Sequence, residues 1–487
     1  VGGAPITDTV TLANEQVVNY PKSVKVLNAI KVSGRTKGGL GIGFFNSFTE
    51  KAEATIENID TGDKRREVVE PFTNYNIIVI DQQFNGNSSI GIINTNVTRE
   101  GSFRDANVTA ITSNITNKRN TYQIRGDIKM SNINLESGTQ TGFSSFFAAR
   151  KAYGNLRYSI DHSYADTKYD PNDLGLQNRN NYNNLGVDIN YRTFEPSGIW
   201  NRYFTNFYVN YTRLADPSTF TGLGMGLSAN GTTKMLNEIG GNINLRPGKQ
   251  YDYFEPRKDG SYFITENGVN FNGWWNSNNN KMLALSANIG AETLLEDGRD
   301  YFNYWFGLGP QVRFSDKFMM SYFFSREYYT GDRGYVTQVD NNVIFGDRQR
   351  EEIEQTFNAS YNFNPKHTLS LTLRNYWGIV RYDEQLFSLQ DNGRVTNSTG
   401  YTTGNIPDNP DINFSTWNFD LGYSWQFAPG SFVTALYRNQ LFNFDTEARD
   451  SFTNSIDTLF KQPLTNVFSL KVQYFLDYNQ ISGLFKG

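Results

Sequence analysis

The sequence contains no cysteine and only two histidines, His162 and His367. The absence of cysteine excludes disulfide bonds, thiolate metal sites and cysteine nucleophiles. His162 shares the parity of the apolar residues in an alternating segment, and His367 follows Pro365 and Lys366 in a tight turn. Neither position suits a general base beside a nucleophile. We therefore predict a protein that is not an enzyme and has no catalytic residues.

Long apolar runs and an excess of charge are also missing. No stretch approaches 18 consecutive apolar residues, which excludes a transmembrane helix. Charged residues make up 19% of the chain, and 45 basic against 49 acidic side chains leave a net charge of −4. Such a balance gives no field that would attract nucleic acid, so we expect no nucleic-acid partner.

Aromatic residues, at 15% of the chain, and alternation of apolar with polar residues are abundant instead. Period-two alternation places one apolar and one polar face on a strand. It recurs in NNLGVDINYRTF, RYFTNFYVNYT, YFNYWFGLGPQVRF, TWNFDLGYSWQF and NVFSLKVQYFLDYN. No helix of three turns is predicted.

The alternating segments run for roughly 10–15 residues, and a tilted strand needs about 9–11 to cross a bilayer. Tight turns are predicted at 195–198, 230–233, 314–317, 364–366 and 428–430, and long loops at 167–180, 331–349, 393–411 and 449–463. An outer-membrane barrel typically has short turns at one rim and long loops at the other. The predicted fold is all-β, a single large antiparallel transmembrane β-barrel of about 20 strands (range roughly 16–22), with short periplasmic turns and long extracellular loops.

The domain prediction is a lead-in segment, 1–23, followed by the barrel, 24–487. The alternative is a large soluble β-sandwich, solenoid or propeller. Solenoids and propellers require an internal repeat, and none is visible. An energy-coupled transporter is not expected, because about two dozen residues before the first strand-like run are too few for a plug domain.

In a barrel of this size the apolar face meets lipid and the polar face lines the lumen. Trp274, Trp275, Trp417 and Trp425 are predicted to lie in interfacial aromatic belts. Polar residues of the opposite parity are the candidate lumen-lining residues: Asp188, Arg192, Asn206, Asn210, Asn303, Gln311, Arg313, Asn418, Asp420, Gln426, Lys471, Gln473 and Asp477. Their mixed charges fit either a weakly selective lumen or cross-strand pairs that stiffen the wall.

Three acidic segments have ligand types that calcium prefers: 169–175, 340–352 and 405–413. None has the full EF-hand spacing, and clusters of Asp, Asn, Pro and Gly are ordinary turn chemistry. GLGIGFF (39–45) lies within an alternating strand with no helix after it, so it is not a phosphate-binding loop. We predict no metal site and no cofactor.

Three N-terminal stretches, LNAIKVSGRTKGGLGIGFFNS (27–47), EPFTNYNIIVIDQQF (70–84) and IGIINTNVTR (90–99), resemble a family of unknown function common in Bacteroidota. Its members often join an N-terminal carbohydrate-binding module, similar to family nine, to a C-terminal outer-membrane barrel. The opening VGGAPI is similar to the segment that leads into that barrel. The resemblance implies a barrel in the bacterial outer membrane; the sugar-binding module is not in this sequence.

These observations favour a non-enzymatic outer-membrane barrel associated with surface glycans or other polymers, or an accessory subunit of a larger outer-membrane complex. A passive diffusion channel for polar solutes and a barrel-borne hydrolase are the alternatives. Expected partners are outer-membrane lipid and lipopolysaccharide, with other surface proteins or a glycan as further candidates.

Overall fold

The structure is a computed structural model that describes residues 11–396 and 400–475. These residues form 25 strands and one short helix. The chain divides into an N-terminal unit, Val1–Tyr191 with Tyr208–Gly222, and a C-terminal unit, Arg192–Phe207 with Leu223–Gly487. The predicted all-β class is confirmed, and the dominant element is a large antiparallel sheet.

The N-terminal unit contains a small sheet and a nine-strand antiparallel ladder. The small sheet has the order β1-β4-β5. In the ladder each strand pairs with the next one along the chain, and β3 pairs directly with β6. The strands are β1 Glu15–Asn19, β2 Val26–Arg35, β3 Leu40–Thr49, β4 Ala52–Asn58, β5 Lys64–Glu70, β6 Thr73–Phe84, β7 Ser88–Arg99, β8 Asp105–Thr116, β9 Tyr122–Leu135, β10 Gly138–Lys151, β11 Leu156–Ala165 and β12 Tyr182–Arg192.

The small sheet is a departure from the expected organisation, because β1 lies in the predicted lead-in and β4 and β5 in the predicted barrel. The Arg65 guanidinium donates two hydrogen bonds of 2.9 Å to the Glu15 carboxylate, which joins β5 to β1 across β4. Ala54 and Ile56 are fully buried in this sheet. Residues 50–72 are therefore an insertion between β3 and β6, two strands that pair directly in the ladder.

One face of the N-terminal ladder is apolar and exposed. Cross-strand neighbours such as Ile80 with Ile92, and Ile111 with Ile128, lie on this face. Isoleucines at 80, 92, 111 and 128 are 47–65% exposed. His162, paired with Leu185, lies on the same face, as its parity predicts.

Along the strands, the residues of this face change from apolar to polar, which simple period-two alternation does not predict. Asn46 pairs with Asn76, two residues from Phe44 and its partner Ile78. The Asn46 amide donates to the side chains of Asn74 and Asn76 at 2.8 Å. Further amide and hydroxyl bonds continue this patch onto neighbouring strands through Asn94, Asn107, Thr109, Asn132 and Thr141. The apolar band therefore ends at an asparagine-rich belt.

The next two strands, β13 Trp200–Arg213 and β14 Phe220–Thr233, contain residues of both units, as does β12 through its last residue, Arg192. The remaining elements belong to the C-terminal unit and again pair with their sequence neighbours, β22 being a short addition to β21. They are β15 Glu238–Asp252, β16 Phe263–Asn276, β17 Leu283–Leu294, β18 Phe302–Arg313, β19 Phe318–Val339, β20 Asn342–Asn364, β21 His367–Leu389, β22 Val395–Thr396, β23 Ile412–Ala428, β24 Ser431–Asp445, α1 Phe452–Leu459 and β25 Thr465–Gln473.

Two predicted connections are wrong. Residues 331–349, predicted as a long loop, are the extended ends of β19 and β20 with a turn at Asp340–Asn341, both at positive φ. Gly, Asp and Arg at high density suggested a loop, but cross-strand bonds such as Arg333 to Asp347 hold these residues in register. The predicted turn 230–233 lies within β14 instead.

Most connections of the N-terminal ladder are short. Two to five residues join β2–β3, β6–β7, β7–β8, β8–β9, β9–β10 and β10–β11, whereas 166–181 connects β11 to β12. Within the C-terminal unit two residues join β20 to β21 and β23 to β24, but 390–411 and 446–464 are long. Among the described residues no helix is both long and apolar enough to cross a membrane.

The Glu15–Arg65 pair makes the small sheet sensitive to acid. The Arg65 hydrogen bonds, together with the Leu12 amide, lower the pKa of Glu15 from 4.5 to about 2. A carboxylate with a depressed pKa stabilises the folded state above its ordinary pKa, and this contribution is lost as pH falls. We predict that a nitroxide on Val17→Cys becomes more mobile as pH falls from 4.5 towards 2, measured by electron paramagnetic resonance.

The matched control is a nitroxide on Leu27→Cys, in β2 of the large sheet, whose mobility should stay constant over this range. Glu15→Gln should remove the pH dependence at Val17. An unchanged pH response in the Glu15→Gln protein would contradict the assignment.

Candidate functional site

The candidate lumen-lining residues lie on the polar faces of their strands, and several form cross-strand or same-face pairs. Arg438 donates to both carboxylate oxygens of Asp420 at 2.7 and 2.8 Å. Asn418 accepts from Gln440 at 2.7 Å, and Asn303 donates to Glu327 at 3.0 Å. The Asp188 carboxylate accepts from Asn190 at 3.0 Å. Of the two interpretations of these residues, cross-strand pairs that stiffen the wall match the bonds of Asp420, Asn418 and Asn303, whereas the Asp188 bond lies within β12.

The other candidates are not gathered into one site. They are distributed over β12, β13, β18, β23 and β25 and belong to different units: Arg192, Asn206, Asn210, Gln311, Arg313, Gln426, Lys471 and Gln473. Asp477 lies outside the described residues. Parity therefore predicts the face of a side chain, but it does not predict which residues meet.

Two tryptophans lie flat on the polar face of the C-terminal unit. A Cβ at Gly240 would lie 2.2 Å from the Trp274 ring, and one at Gly290 would lie 2.0 Å from the Trp305 ring. Trp305 Nε1 donates to Asn272 at 3.2 Å. Trp274 was predicted in an interfacial belt, but its register places it with Asn270 and Asn272 on the polar face. The signal that sequence reasoning missed is glycine on the neighbouring strand opposite each indole.

The long ends of β19–β21 and the nearby connections fold together into a structure that we call the cap. Phe263, Val343 and Phe345 form its buried centre, and the rings of Phe263 and Phe345 are 4.8 Å apart. Glu255 accepts from the Tyr335 amide at 2.8 Å, which fixes the β15–β16 connection to β19. The side chains packed around this centre are Tyr335, Phe387, Leu389 and Val395.

A polar cavity of about 370 Å³ lies in the cap. Arg394 forms ion pairs with both Glu266 and Glu296, and Arg333 forms two hydrogen bonds of 2.7 Å with Asp347. The lining residues are Phe263, Ile264, Glu266, Glu296, Asp297, Gly298, Arg299, Arg333, Arg394 and Val395. Fixed guanidinium and carboxylate groups around one cavity can donate to and accept from a neutral, polyhydroxylated ligand.

Among the arginines that line this cavity, Arg299 has the fewest ion-pair and hydrogen-bond partners within the described ranges. Its guanidinium lies 5.8 Å from the Phe263 ring, and its Nε has no hydrogen-bond partner in the part of the chain that the structure describes. Burial and the nearby positive charge of Arg333 lower the pKa of Arg299. Burial also raises the pKa of Glu296, an effect that Arg299 and Arg333 oppose. The cavity therefore retains hydrogen-bonding capacity that its own residues do not use.

Three tyrosine rings pack together next to Gly393, the residue before Arg394 of the cap cavity. The ring of Tyr262 is 5.6 Å from that of Tyr251 and 5.2 Å from that of Tyr253. Gly393, at φ +77°, approaches Tyr262 so closely that a Cβ there would lie 2.4 Å from the ring. Tyrosines that present one face and a hydroxyl suit flat, polar ligands such as sugar rings.

Arginine–aspartate pairs also fix the 166–181 connection of the N-terminal unit. Arg99 forms an ion pair of 2.9 Å with Asp173, and both side chains are less than 10% exposed. Arg104 binds Asp170 and Asp173 at 2.8 and 2.6 Å. The pKa of Asp170 is lowered, because hydrogen bonds from Asn172 and Arg104 outweigh its burial. Asp170 and Asp173, two potential calcium ligands of the 169–175 segment, are thus bound by arginine.

The two histidines lie apart from both clusters. His162 Nε2 is 2.8 Å from the Asn183 side-chain oxygen, and His367 Nδ1 is 2.6 Å from the Tyr423 hydroxyl. The His367 ring also stacks on Trp425 at 5.8 Å. These contacts are the structural ones expected of an apolar-face residue and a turn residue.

Fold and site together define an all-β protein with a large antiparallel sheet, long apolar faces and a folded cap with a polar cavity. The chain belongs to a family catalogued as a domain of unknown function (DUF5916), whose model matches residues 1–485. No curated protein matches the chain significantly.

The cap depends on Arg394, whose single guanidinium forms ion pairs with the carboxylates of both Glu266 and Glu296. Arg394→Ala should leave Glu266 and Glu296 without their shared cation, so repulsion opens the 390–396 segment. We predict faster cleavage of this segment by proteinase K at pH 8 than in the wild-type protein, followed by mass spectrometry. At pH 5 the difference should shrink, because the raised pKa of Glu296 favours its neutral form as pH falls.

Lys281→Ala, which removes an exposed cation elsewhere in the same unit, is the control and should not change the cleavage pattern. Equal cleavage of the Arg394→Ala and wild-type proteins at pH 8 would show that the pair does not hold the cap.

Proposed function

We propose that this protein is a bacterial outer-membrane β-barrel that is not an enzyme and that binds a surface glycan or similar polymer at its cap, alone or as an accessory subunit of a larger complex. The observation that carries the proposal is the exposed apolar face of the ladder in each unit. Large contiguous apolar surfaces on a folded chain indicate contact with lipid or protein. In a barrel this face would meet acyl chains.

Strand and turn lengths support the membrane assignment. Apart from the short β22, ladder strands of 9–23 residues are long enough to cross a bilayer when tilted. In the C-terminal unit the long connections 390–411 and 446–464 lie at one edge of the sheet and the two-residue turns of β20–β21 and β23–β24 at the other, which is typical of barrels that have an extracellular and a periplasmic edge. We assign the cap and the 166–181 connection to the extracellular edge, since both lie at the long connections.

Closure of the sheet is part of the proposal. Lipid offers no hydrogen bonds to an open sheet edge, so a membrane-spanning sheet must pair its first strand with its last.

The glycan assignment comes from the cap. Its cavity is lined by arginines and carboxylates, and the cluster of Tyr251, Tyr253 and Tyr262 packs beside Gly393 of the cap. This combination suits hydroxyl groups and ring faces together. The resemblance to a family with sugar-binding modules agrees with this assignment. A diffusion channel is the second candidate, favoured by the polar face with its pairs such as Arg438–Asp420.

The membrane proposal predicts dependence on surfactant. We expect the purified protein to aggregate in plain buffer and to be monodisperse in detergent, measured by light scattering. The unheated protein should migrate differently from the boiled one in dodecyl sulfate gels, as closed barrels do.

Two outcomes would refute the assignment. Monodisperse protein without surfactant would exclude the lipid-facing role of the apolar faces. Identical mobility of the unheated and boiled protein would exclude the closed barrel.

The cap proposal predicts binding of neutral glycans on an array. Arg299→Ala and Tyr253→Ala should each weaken the binding by about tenfold, the loss expected for one strong polar or stacking contact. Tyr153→Ala, at an exposed tyrosine of the other unit, is the matched control and should bind normally. Absence of binding by the wild-type protein, with conductance in planar bilayers, would favour the channel instead.

A further inference from the structure

Helix α1 lies against the apolar face of the C-terminal sheet. Ser451 caps its N-terminus by accepting from the Asn454 amide at 3.3 Å. The Phe452 ring meets Trp377 at 5.6 Å, and the Phe460 ring, just past the helix, meets Trp417 at 5.5 Å. Leu459 is fully buried. The helix therefore covers part of a surface that is elsewhere exposed.

Polar side chains lie beneath the helix on this otherwise apolar face. Cross-strand register places Asn375 opposite Trp417 and Trp377 opposite Ser415. Asn413, 1% exposed, donates to the Ser455 hydroxyl of α1 at 2.9 Å and to the Glu447 carbonyl at 3.2 Å. One role of the helix is thus to shield amides that would be costly to expose to hydrocarbon.

An apolar cavity of about 270 Å³ separates α1 from the strands. It is open on one side and lined by Tyr322, Gln355, Phe357, Leu373, Asn375, Trp417, Phe452, Ile456 and Phe460. The Tyr322 hydroxyl donates to the Gln355 side-chain oxygen at 2.7 Å, so these two atoms are paired. The walls are otherwise aromatic and aliphatic, which suits a hydrocarbon chain.

Asn375 is the exception in this lining. Its side chain is 5% exposed, and its amide nitrogen donates to the Thr416 carbonyl at 3.0 Å. Its Oδ1 has no hydrogen-bond partner among residues 11–396 and 400–475. A buried acceptor without a partner is uncommon in folded proteins and indicates a missing donor. The cavity thus combines hydrocarbon-like walls with one unused acceptor.

The position of the cavity along the strands suits an amphiphile. Towards the long connections, the same face carries Arg326 and, beyond Ile353, Glu351, which form an ion pair. Towards the short turns the face carries Met320, Tyr361 and Leu369. The cavity therefore lies between the charged and the apolar residues of this face. If the sheet spans a membrane, this position is at the level of the lipid headgroups.

We propose that this cavity binds one acyl chain of an outer-leaflet lipid, and that a hydroxyl or amide near the head of this chain donates a hydrogen bond to Asn375 Oδ1. The membrane source of the ligand rests on the proposed function; the acyl site rests on the cavity and on Asn375. The Arg326–Glu351 pair lies on the headgroup side of the site.

Native mass spectrometry of the detergent-purified protein with lauric acid and 3-hydroxylauric acid tests the site. We expect both acids to be retained, with the hydroxylated acid preferred by about three- to tenfold, the effect of one hydrogen bond. Asn375→Leu should keep lauric acid and lose the preference. Leu373→Trp should fill the cavity and lose both acids.

Leu421→Trp adds the same bulk on the same face outside the cavity and should retain both acids. The mobility of unheated protein in dodecyl sulfate gels checks that each variant is folded. Retention of neither acid by the wild-type protein, or equal retention by Leu373→Trp, would overturn the site. Retention by protein that is monodisperse without surfactant would leave the acyl site standing while refuting its membrane source.

Discussion

The cross-strand register is the constraint on which the rest of the structure depends. Because side chains alternate between faces, a slip of one residue would exchange the apolar and polar faces of a strand. Pairs such as Arg438–Asp420 and Asn303–Glu327 on the polar face, and Ile80–Ile92 on the apolar face, favour the same alignment. Hydrogen bonding and burial therefore specify one register together.

In each unit, polar side chains interrupt the apolar face of the sheet. In the N-terminal unit the apolar band ends at the amides around Asn46 and Asn76. In the C-terminal unit a comparable border has Arg326, Glu351 and the amide of Asn375, and there a helix covers the polar groups. The two units thus treat polar groups on an apolar face differently, one by mutual amide bonding and one by shielding with α1.

The sequence predicts strand class and face well, because period-two alternation is a local property. It places His162, Asp188 and Asp420 on their observed faces, and four of the five tight turns that it names lie at connections. It does not predict that 331–349 continues two strands, since the pairs Arg333–Asp347 and Arg348–Asp332 depend on partners across the hairpin. The cap cavity is missed for the same reason: Glu266, Glu296 and Arg394 are distant in sequence and meet only after the sheet has formed.

Pairing between consecutive strands has a consequence for how the chain assembles. Connections of two to five residues leave little freedom between partners, so a hairpin such as β20–β21 closes with a small entropy loss. Each completed hairpin then presents one edge to the segment that follows it in the chain. The sheet can grow stepwise from either end, and most of its large area forms without bringing remote parts of the polypeptide together.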